Sequence, residues 1–265
     1  MNYSRFNKRK KKKNYTWVII SVVVVLLLVA AITVYVLDDE QKVTEESNTD
    51  EQQLQQPTKN TSDIEHVQAE QPKVKEPQVD EGGYAIMTTT VTEPTIIEGI
   101  LIANKKYPLP TSYNPGEDPE ALAAYKEMEA AAKTAGFNIT AFSGFRSYEY
   151  QTTLYENYKA RDGKENADRY SARPGHSEHQ TGLAFDIGEL GREDLWLTAE
   201  FGETPAGQWL VQNAHTYGFI LRYPKGKEDV TGFMYESWHF RYVGKDVAKK
   251  VNESGVTLEE YLGID

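Results

Sequence analysis

The sequence predicts an α+β domain in which helices flank a small antiparallel sheet. Capping residues precede helical patterns at Asp118-Pro119, Ser147 and Thr204-Pro205. Two short stretches, residues 182–188 and 238–243, instead alternate side chains in the period of a strand. Helices and strands mix without the regular alternation of a parallel sheet, and no internal repeat is present.

The chain begins with a basic segment, residues 1–16, followed by an apolar run, residues 17–37. Residues 1–17 hold seven Lys or Arg and no acid. Because the whole chain has a net charge of −11, the residues after 17 carry a net charge of −18. The run has no charge in 21 residues, which is long enough to cross a bilayer core of ~30 Å as a helix. The positive-inside rule keeps the basic segment in the cytoplasm. We therefore predict a single-pass cell-membrane anchor with the rest of the chain extracellular. The alternative is a cleaved signal peptide, for which Ala30-Ala31 is the one hint of a cleavage site.

Residues 38–83 predict a disordered acidic tether. They contain 13 acids, 4 bases and few large apolar side chains, so they bury too little surface to offset their ordering entropy. His66 lies in this segment and is interpreted as solvated. The acidic exterior of the chain argues against nucleic acid as a partner, and the absence of cysteine excludes disulfides and thiolate chemistry.

The remaining residues, 84–265, form the predicted catalytic domain. Extended structure is expected over 84–97, where Thr, Val and Ile are frequent. The elements predicted after it are helices from Asp118 to Gly136, from Ser147 through Tyr158 and from Thr204 to Gly218, strands at 138–143, 219–222 and 238–243, and a last short helix with the capping box Thr257-x-x-Glu260.

The centre of this domain, residues 177–188, combines a strand with groups that suit a metal. Leu183, Phe185 and Ile187 share one face, and Asp186 stands among small residues on the other. His179 lies seven residues earlier, across a Thr-Gly that can turn the chain. An imidazole and a carboxylate on an open surface suit a catalytic zinc ion if a third ligand is supplied, for which His239 is the candidate.

Two further histidines, His176 and His215, lie in the predicted catalytic domain. His176 and His179 are three residues apart, and composition alone does not decide which of them binds metal. His215 lies within a predicted helix beside an apolar stripe, where a structural role is the usual one.

The motifs resemble a known family. Ser177-x-His179-x-x-Gly182-x-Ala184-x-Asp186 with Glu236-x-x-His239 downstream resembles the signature of the LAS metallopeptidases. Within that group, Ser143-Gly-Phe-Arg-Ser147, Tyr150-Gln151 and Pro174-Gly-His-Ser-Glu-His-Gln-Thr-Gly-Leu-Ala-Phe-Asp186 resemble the VanY-type D-alanyl-D-alanine carboxypeptidases. The resemblance covers roughly residues 95–255 and implies the LAS/Hedgehog-like metallopeptidase fold.

The resemblance also implies roles. The zinc ligands would be His179, Asp186 and His239, with water in the fourth position. Glu236 would be the catalytic base, brought to the metal by a turn or bulge at Glu236-Ser237, because a regular strand places residues 236 and 239 on opposite faces. Arg146 would take part in catalysis and bind the substrate. Gln151 and Ser177 would contact the terminal carboxylate of the substrate.

The function implied is removal of the C-terminal D-alanine from peptidoglycan stem peptides by a membrane-anchored zinc carboxypeptidase. Two alternatives remain open at this point. One is L,D-carboxypeptidase activity on tetrapeptide stems, which needs the same grip on a carboxylate. The other is a non-catalytic, zinc-containing domain that binds the cell wall, against which an intact Glu236 speaks because a structural site needs no base.

Overall fold

The computed structural model describes residues 77–265, which form helices around a small antiparallel sheet. The predicted α+β class is therefore confirmed. Two strands, β1 (Thr95–Ile97) and β2 (Ile100–Ile102), pair as a hairpin in a sheet of their own. The main sheet has four strands: β3 (Ile139–Ser143), β4 (Ala184–Glu189), β5 (Phe219–Leu221) and β6 (His239–Tyr242).

Four of the seven α-helices in residues 77–265 begin at capping residues recognised in the sequence, and the other three, over residues 164–170, 228–231 and 245–254, have no side-chain cap and were not predicted. The seven are α1 (Pro119–Thr134), α2 (Tyr148–Asp162), α3 (Lys164–Tyr170), α4 (Pro205–Asn213), the single turn α5 (Glu228–Thr231), α6 (Lys245–Ser254) and α7 (Leu258–Leu262). Asp118, Ser147, Thr204 and Thr257 each accept a backbone N–H with their side chain, which confirms the predicted caps and the capping box. The predicted 204–218 helix ends at Asn213 and continues as a 3-10 turn, Ala214–Tyr217.

The main sheet runs in the order β3-β4-β6-β5, and every neighbouring pair is antiparallel. Asp186 on β4 pairs with His239 on β6 and with Ser143 on β3. A register irregularity between Ala141 and Ser143 adjusts β3 at that level. Side chains at paired positions share a face of the sheet, so Ser143, Asp186 and His239 stand in one row.

The opposite face of the sheet carries the core. Phe185, Ile187 and Phe240 are at most 1% exposed and pack with Met128 of α1 and Leu210 of α4. This is the apolar face that the alternation in the sequence predicted. A second cluster of buried side chains joins β2, β5, α6 and α7.

The turn that leads into β4 depends on a glycine. Gly182 closes the 3-10 turn Glu178–Thr181 with φ 75°, a left-handed conformation that glycine adopts without steric cost. A Cβ there would stand 2.1 Å from the Gly116 carbonyl oxygen, so the chain also passes too closely for any side chain. The predicted reversal between His179 and Asp186 is thus present.

The N-terminal predictions fall mostly outside the described residues. The basic segment 1–16, the anchor 17–37, His66 and most of the tether 38–83 lie there. Between residues 77 and 265, no helix is both long and apolar enough to cross a membrane. Residues 78–83 do contact the domain: Asp80 Oδ2 accepts a hydrogen bond from Arg173 Nη1 at 2.7 Å. These contacts lie before residue 84, at which the catalytic domain was predicted to begin.

Candidate active site

A cleft of about 660 Å³ lies over the polar face of the main sheet. Its walls include the ends of β3, β4 and β6, the first turns of α2, and the loop that follows α3. Six of the seven predicted site residues, all except Gln151, are among its lining residues: Arg146, Ser177, His179, Asp186, Glu236 and His239. The structure thus gathers residues from distant parts of the chain into one site.

His179, Asp186 and His239 form a compact group at the base of the cleft. One potential ligand atom from each lies within 4.8 Å of the others. Nε2 of His179 is 3.2 Å from Oδ2 of Asp186, and Nδ1 of His239 is 3.1 Å from Oδ1 of the same carboxylate. The pairing of Asp186 with His239 across β4 and β6 sets this second distance.

Each imidazole is oriented by a hydrogen bond from its other nitrogen. Nδ1 of His179 donates to the Gly144 carbonyl oxygen at 2.8 Å, and Nε2 of His239 contacts Oε2 of Glu178 at 3.3 Å. The nitrogens that face Asp186 are therefore the ones left for a ligand. Hydrogen bonds of this kind fix the tautomer and ring orientation of metal-binding histidines.

The donor set fits a zinc ion. Two imidazole nitrogens and one carboxylate oxygen are typical catalytic zinc ligands, and ligand atoms of a tetrahedral site lie about 3.3 Å apart when each bond is ~2.0–2.1 Å. With one ligand atom taken from each residue, the three atoms lie within 4.8 Å of one another, so small side-chain adjustments would bring them to that spacing. His179, Asp186 and His239 can therefore hold the metal that the sequence predicts and leave a fourth position toward the cleft.

The protein shifts the pKa values of His179 and His239 in opposite directions. Burial lowers the pKa of His179, against the opposing charge of Asp186. Burial also acts to lower the pKa of His239, but hydrogen bonds with Asp186 and Glu178 outweigh it and raise that pKa to about 9. A cation at this place would take over the position of the His239 proton that faces Asp186.

Glu236 stands beside this group. It precedes β6 in a turn, in which the His239 N–H faces the Glu236 carbonyl oxygen at 3.4 Å, and its Oε2 lies 3.8 Å from Nδ1 of His239. The predicted turn at Glu236-Ser237 is present, and it brings residues 236 and 239 to the same side. Burial raises the pKa of Glu236 to about 8, against the cations His239 and Arg146. A carboxyl group with a raised pKa suits general acid–base work.

Arg146 reaches the cleft from the turn between β3 and α2. Its Nη1 donates to Oε1 of Gln151 at 2.9 Å, and its Nη2 donates to Oγ of Ser143 at 3.1 Å and lies 3.7 Å from Oδ2 of Asp186. The guanidinium is thereby held in one orientation at the edge of the metal-binding group. A guanidinium fixed in this way presents a planar fork for a carboxylate or an oxyanion.

Ser177 and Gln151, the two residues predicted to contact the substrate carboxylate, occupy different positions. Ser177 is buried and lines the cleft next to the 3-10 turn that carries His179. Gln151 is 1% exposed, and Nε2 of its amide donates to the Ala172 carbonyl oxygen at 2.6 Å while Oε1 accepts from Arg146. The structure places Gln151 behind Arg146, as a support for the guanidinium, because both ends of its amide already have protein partners.

The remaining histidines of the domain lie away from the metal-binding group. Nδ1 of His176 donates to the Asn104 carbonyl oxygen at 2.8 Å, and its ring meets Tyr84 edge-on. Burial lowers the pKa of His176 to about 4, so the ring is neutral. His215 lies in the 3-10 turn after α4, and its buried Nδ1 has no hydrogen-bond partner.

Sequence reasoning missed Glu178, the residue that orients His239. Glu178 is fully buried, and its Oε1 accepts from Nε of Arg222 at 2.7 Å and from Nη1 of Arg241 at 2.8 Å. Against the effect of burial, these guanidinium groups hold the pKa of Glu178 well below its usual range. The signal in the sequence was Arg241 itself, a charge between Phe240 and Tyr242 in a predicted strand, because a buried arginine requires an anionic partner.

Three side chains that could hold a metal ion open to a cleft and adjoin a buried carboxylate that can move protons, an arrangement typical of hydrolases. The comparison with known proteins narrows this class. The chain belongs to the VanY family of D-alanyl-D-alanine carboxypeptidases, whose family model matches residues 116–245.

Individual relatives agree with the family. Putative carboxypeptidase YodJ of Bacillus subtilis (strain 168) is 41% identical over 192 residues, which are 65% of this chain and 69% of that protein. The LD-carboxypeptidase LdcB, whose structure reveals the molecular basis of peptidoglycan recognition, is 54% identical with a TM-score of 0.57, covering 63% of this chain and 86% of that one. A vancomycin resistance D,D-pentapeptidase VanY from a VanB-type cassette, solved as a mutant with Zn(II), is 33% identical with a TM-score of 0.52, covering 61% and 97%. The chain is thus similar to carboxypeptidases in both sequence and fold.

Proposed function

We propose that this protein is a zinc-dependent carboxypeptidase that removes the C-terminal D-alanine from peptidoglycan stem peptides. The observation that carries the proposal is the presence in one cleft of the His179, Asp186 and His239 group, the buried Glu236 and the oriented guanidinium of Arg146. Membership of the VanY family and similarity to LdcB support the choice of substrate.

Catalysis divides between the metal and the protein. Bound zinc supplies Lewis acidity, which lowers the pKa of water and polarises a carbonyl oxygen. Glu236 takes the proton of the attacking water and delivers it to the departing amine of D-alanine. Burial raises the pKa of Glu236, and the positive charge of a bound zinc ion would lower it again, so the carboxylate could accept a proton and then release it.

The substrate carboxylate is the group that a carboxypeptidase must recognise. Arg146 provides a guanidinium at the edge of the cleft, 3.7 Å from Asp186, so a bound C-terminus would lie next to the scissile bond. Ser177 lines the same cleft and can donate from its hydroxyl. Gln151 contributes by holding Arg146. Losing one charge-assisted hydrogen bond from such a site costs about 1.5–3 kcal/mol.

A second candidate is L,D-carboxypeptidase activity, in which the D-alanine that ends a tetrapeptide stem is removed. The specific observation in its favour is the higher identity to the LD-carboxypeptidase LdcB, 54%, than to the D,D-pentapeptidase VanY, 33%. The two activities share the clamp on the terminal carboxylate and differ in the residue on the other side of the cut.

The predicted anchor, residues 17–37, places this activity at the membrane in our proposal. The catalytic domain would face the cell wall, with residues 38–76 between anchor and domain. Protease treatment of intact cells tests this: the domain should be released from the surface, and its retention until the cells are lysed would contradict the proposal.

The decisive experiment incubates the zinc-loaded protein with a pentapeptide stem, a tetrapeptide stem and their C-terminal amides, and weighs the products. We expect loss of one D-alanine from a free-acid peptide, and the peptide that is cut assigns D,D or L,D specificity. Glu236→Gln should keep the zinc and cut nothing. If the zinc-loaded wild type cut neither peptide, the proposal would be wrong, and a non-catalytic domain that binds the cell wall would be the better interpretation.

A further inference from the structure

The described chain begins with a segment that folds back on itself, residues 78–86, here called the N-terminal strap. The Ile86 N–H donates to the Gln78 carbonyl oxygen at 2.7 Å, which closes the strap. The Ala85 N–H donates to the Lys105 carbonyl oxygen at 2.9 Å, which ties it to the domain. The strap is therefore a defined loop with its own contacts.

The strap is fastened to the loop that follows α3. Arg173 of that loop donates from Nη1 to Asp80 Oδ2 at 2.7 Å, while its Nε and Nη2 bind Asp168. The Arg173 guanidinium lies over the Tyr84 ring, 3.9 Å from its centre. The Tyr84 hydroxyl accepts from the Arg173 N–H at 3.2 Å and donates to the Ser171 carbonyl oxygen at 3.5 Å.

The fit between strap and loop is close. A Cβ on Gly82 would stand 2.6 Å from Nη2 of Arg173 and 2.6 Å from Oδ2 of Asp168. Lys105, which is 9% exposed, donates from Nζ to the Gly82 carbonyl oxygen at 3.0 Å. A buried lysine and an arginine thus hold the same turn from two sides.

The fastened loop supports Arg146 through one intermediate. Ala172 lies between the two residues that Tyr84 contacts, and its carbonyl oxygen accepts from Nε2 of Gln151 at 2.6 Å. Gln151 in turn accepts from Nη1 of Arg146 at 2.9 Å. The contacts therefore form a continuous path from the strap to the guanidinium that faces the cleft.

We propose that the N-terminal strap is a positioning element for substrate binding, in which Tyr84 and Asp80 fix the Ala172 carbonyl, and through Gln151 the orientation of Arg146. The inference rests on the proposed function, since it takes Arg146 to bind the substrate carboxylate. Arginine has many rotamers, and an oriented guanidinium loses less entropy when it binds a carboxylate. A strap that only stabilised the fold would change the unfolding temperature and leave substrate affinity unchanged.

The test uses Tyr84→Phe in the full-length, zinc-loaded protein, because it removes the hydroxyl and retains the ring beneath Arg173. Asp80→Asn, at a half-buried position, is a second variant that removes the ion pair. The matched control is Tyr125→Phe, which removes the hydroxyl of another buried tyrosine, one that packs in the core on the other face of the sheet. Each is assayed with a stem peptide ending in D-alanine and with its C-terminal amide.

We expect Tyr84→Phe and Asp80→Asn to raise KM for the free acid roughly three- to tenfold, the value of one hydrogen bond, with kcat within about twofold. Rates on the amide and the KM of Tyr125→Phe should stay at the wild-type values. If the wild type prefers the free acid but neither strap variant raises its KM, the inference is wrong and the proposed function stands. If the wild type cuts acid and amide equally, the carboxylate clamp in the proposed function is wrong.

Discussion

Replacing Glu178 by Gln should weaken zinc binding although residue 178 is not one of the three proposed ligands. Glu178 accepts at 3.3 Å from the nitrogen of His239 that points away from Asp186. The neutral amide retains the shape but not the charge that orients and polarises the imidazole. Loss of such a partner lowers metal affinity by about 10–100-fold, which corresponds to about 1.4–2.7 kcal/mol.

The same substitution removes one of two carboxylates from a buried group. Arg222 would keep its two hydrogen bonds with the Glu259 carboxylate, at 2.8 and 2.5 Å, whereas Arg241 would lose its carboxylate partner and keep neutral acceptors, among them the backbone carbonyls of residues 101 and 242. Breaking a buried ion pair on one side costs about 3–5 kcal/mol. Glu178→Gln should therefore also lower the free energy of unfolding by about that amount.

Glu259→Gln is the matched control, because it removes one negative charge from the same buried group without touching His239. We expect a similar loss of stability in both variants, measured by thermal or denaturant unfolding of the metal-free protein. Competition with a zinc chelator should show weaker binding in Glu178→Gln alone. Equal zinc affinities in the two variants would refute the assignment of Glu178 as the residue that orients His239.

Three further predictions follow from the same geometry. His179→Ala should lose the bound zinc and His176→Ala should keep it, which metal analysis checks; the reverse pattern would overturn the ligand assignment. Because the pKa of His176 falls from 6.5 to about 4 on folding, the unfolded chain binds a proton that the folded chain does not. Wild type should therefore lose up to about 1.4 kcal/mol of stability per pH unit as the pH falls through that window, and His176→Gln should lose less; parallel curves for the two proteins would contradict this. Gly182→Ala should lower the free energy of unfolding by more than Gly136→Ala, because both have positive φ but a Cβ at residue 182 also meets the Gly116 carbonyl oxygen at 2.1 Å; equal losses, on the order of 1–2 kcal/mol, would mean that the backbone gives way.

Local rules in the sequence were sufficient for the elements that flank and carry the site. Capping residues act within one helical turn, so Asp118 and Thr257 could be assigned from their neighbours alone. The alternation of Phe185 and Ile187 with Asp186 likewise depends on the period of a strand. These predictions needed no knowledge of the rest of the fold.

Contacts between distant segments could not be predicted in this way. Glu178 meets Arg222 and Arg241 across 44 and 63 residues of chain, and no local pattern encodes such a pairing. The support of Arg146 by Gln151 depends on the Ala172 carbonyl, a backbone atom that carries no sequence signal. The family resemblance identified residues that are expected near the substrate. It did not show which of these residues line the cleft and which lie behind it, because that depends on how the whole domain packs.

Metal binding by His179, Asp186 and His239 would affect the stability of the folded protein as well as its activity. The chain contains no cysteine, and Asp186 and His239 are separated by 53 residues, so a metal bound here would cross-link two neighbouring strands that are far apart in the sequence. An ion that binds the folded chain and not the unfolded one adds about 1.4 kcal/mol of stability for every tenfold rise of free metal above its dissociation constant. Zinc scarcity in the surroundings would then silence the enzyme and also increase the fraction of unfolded chains exposed to proteases.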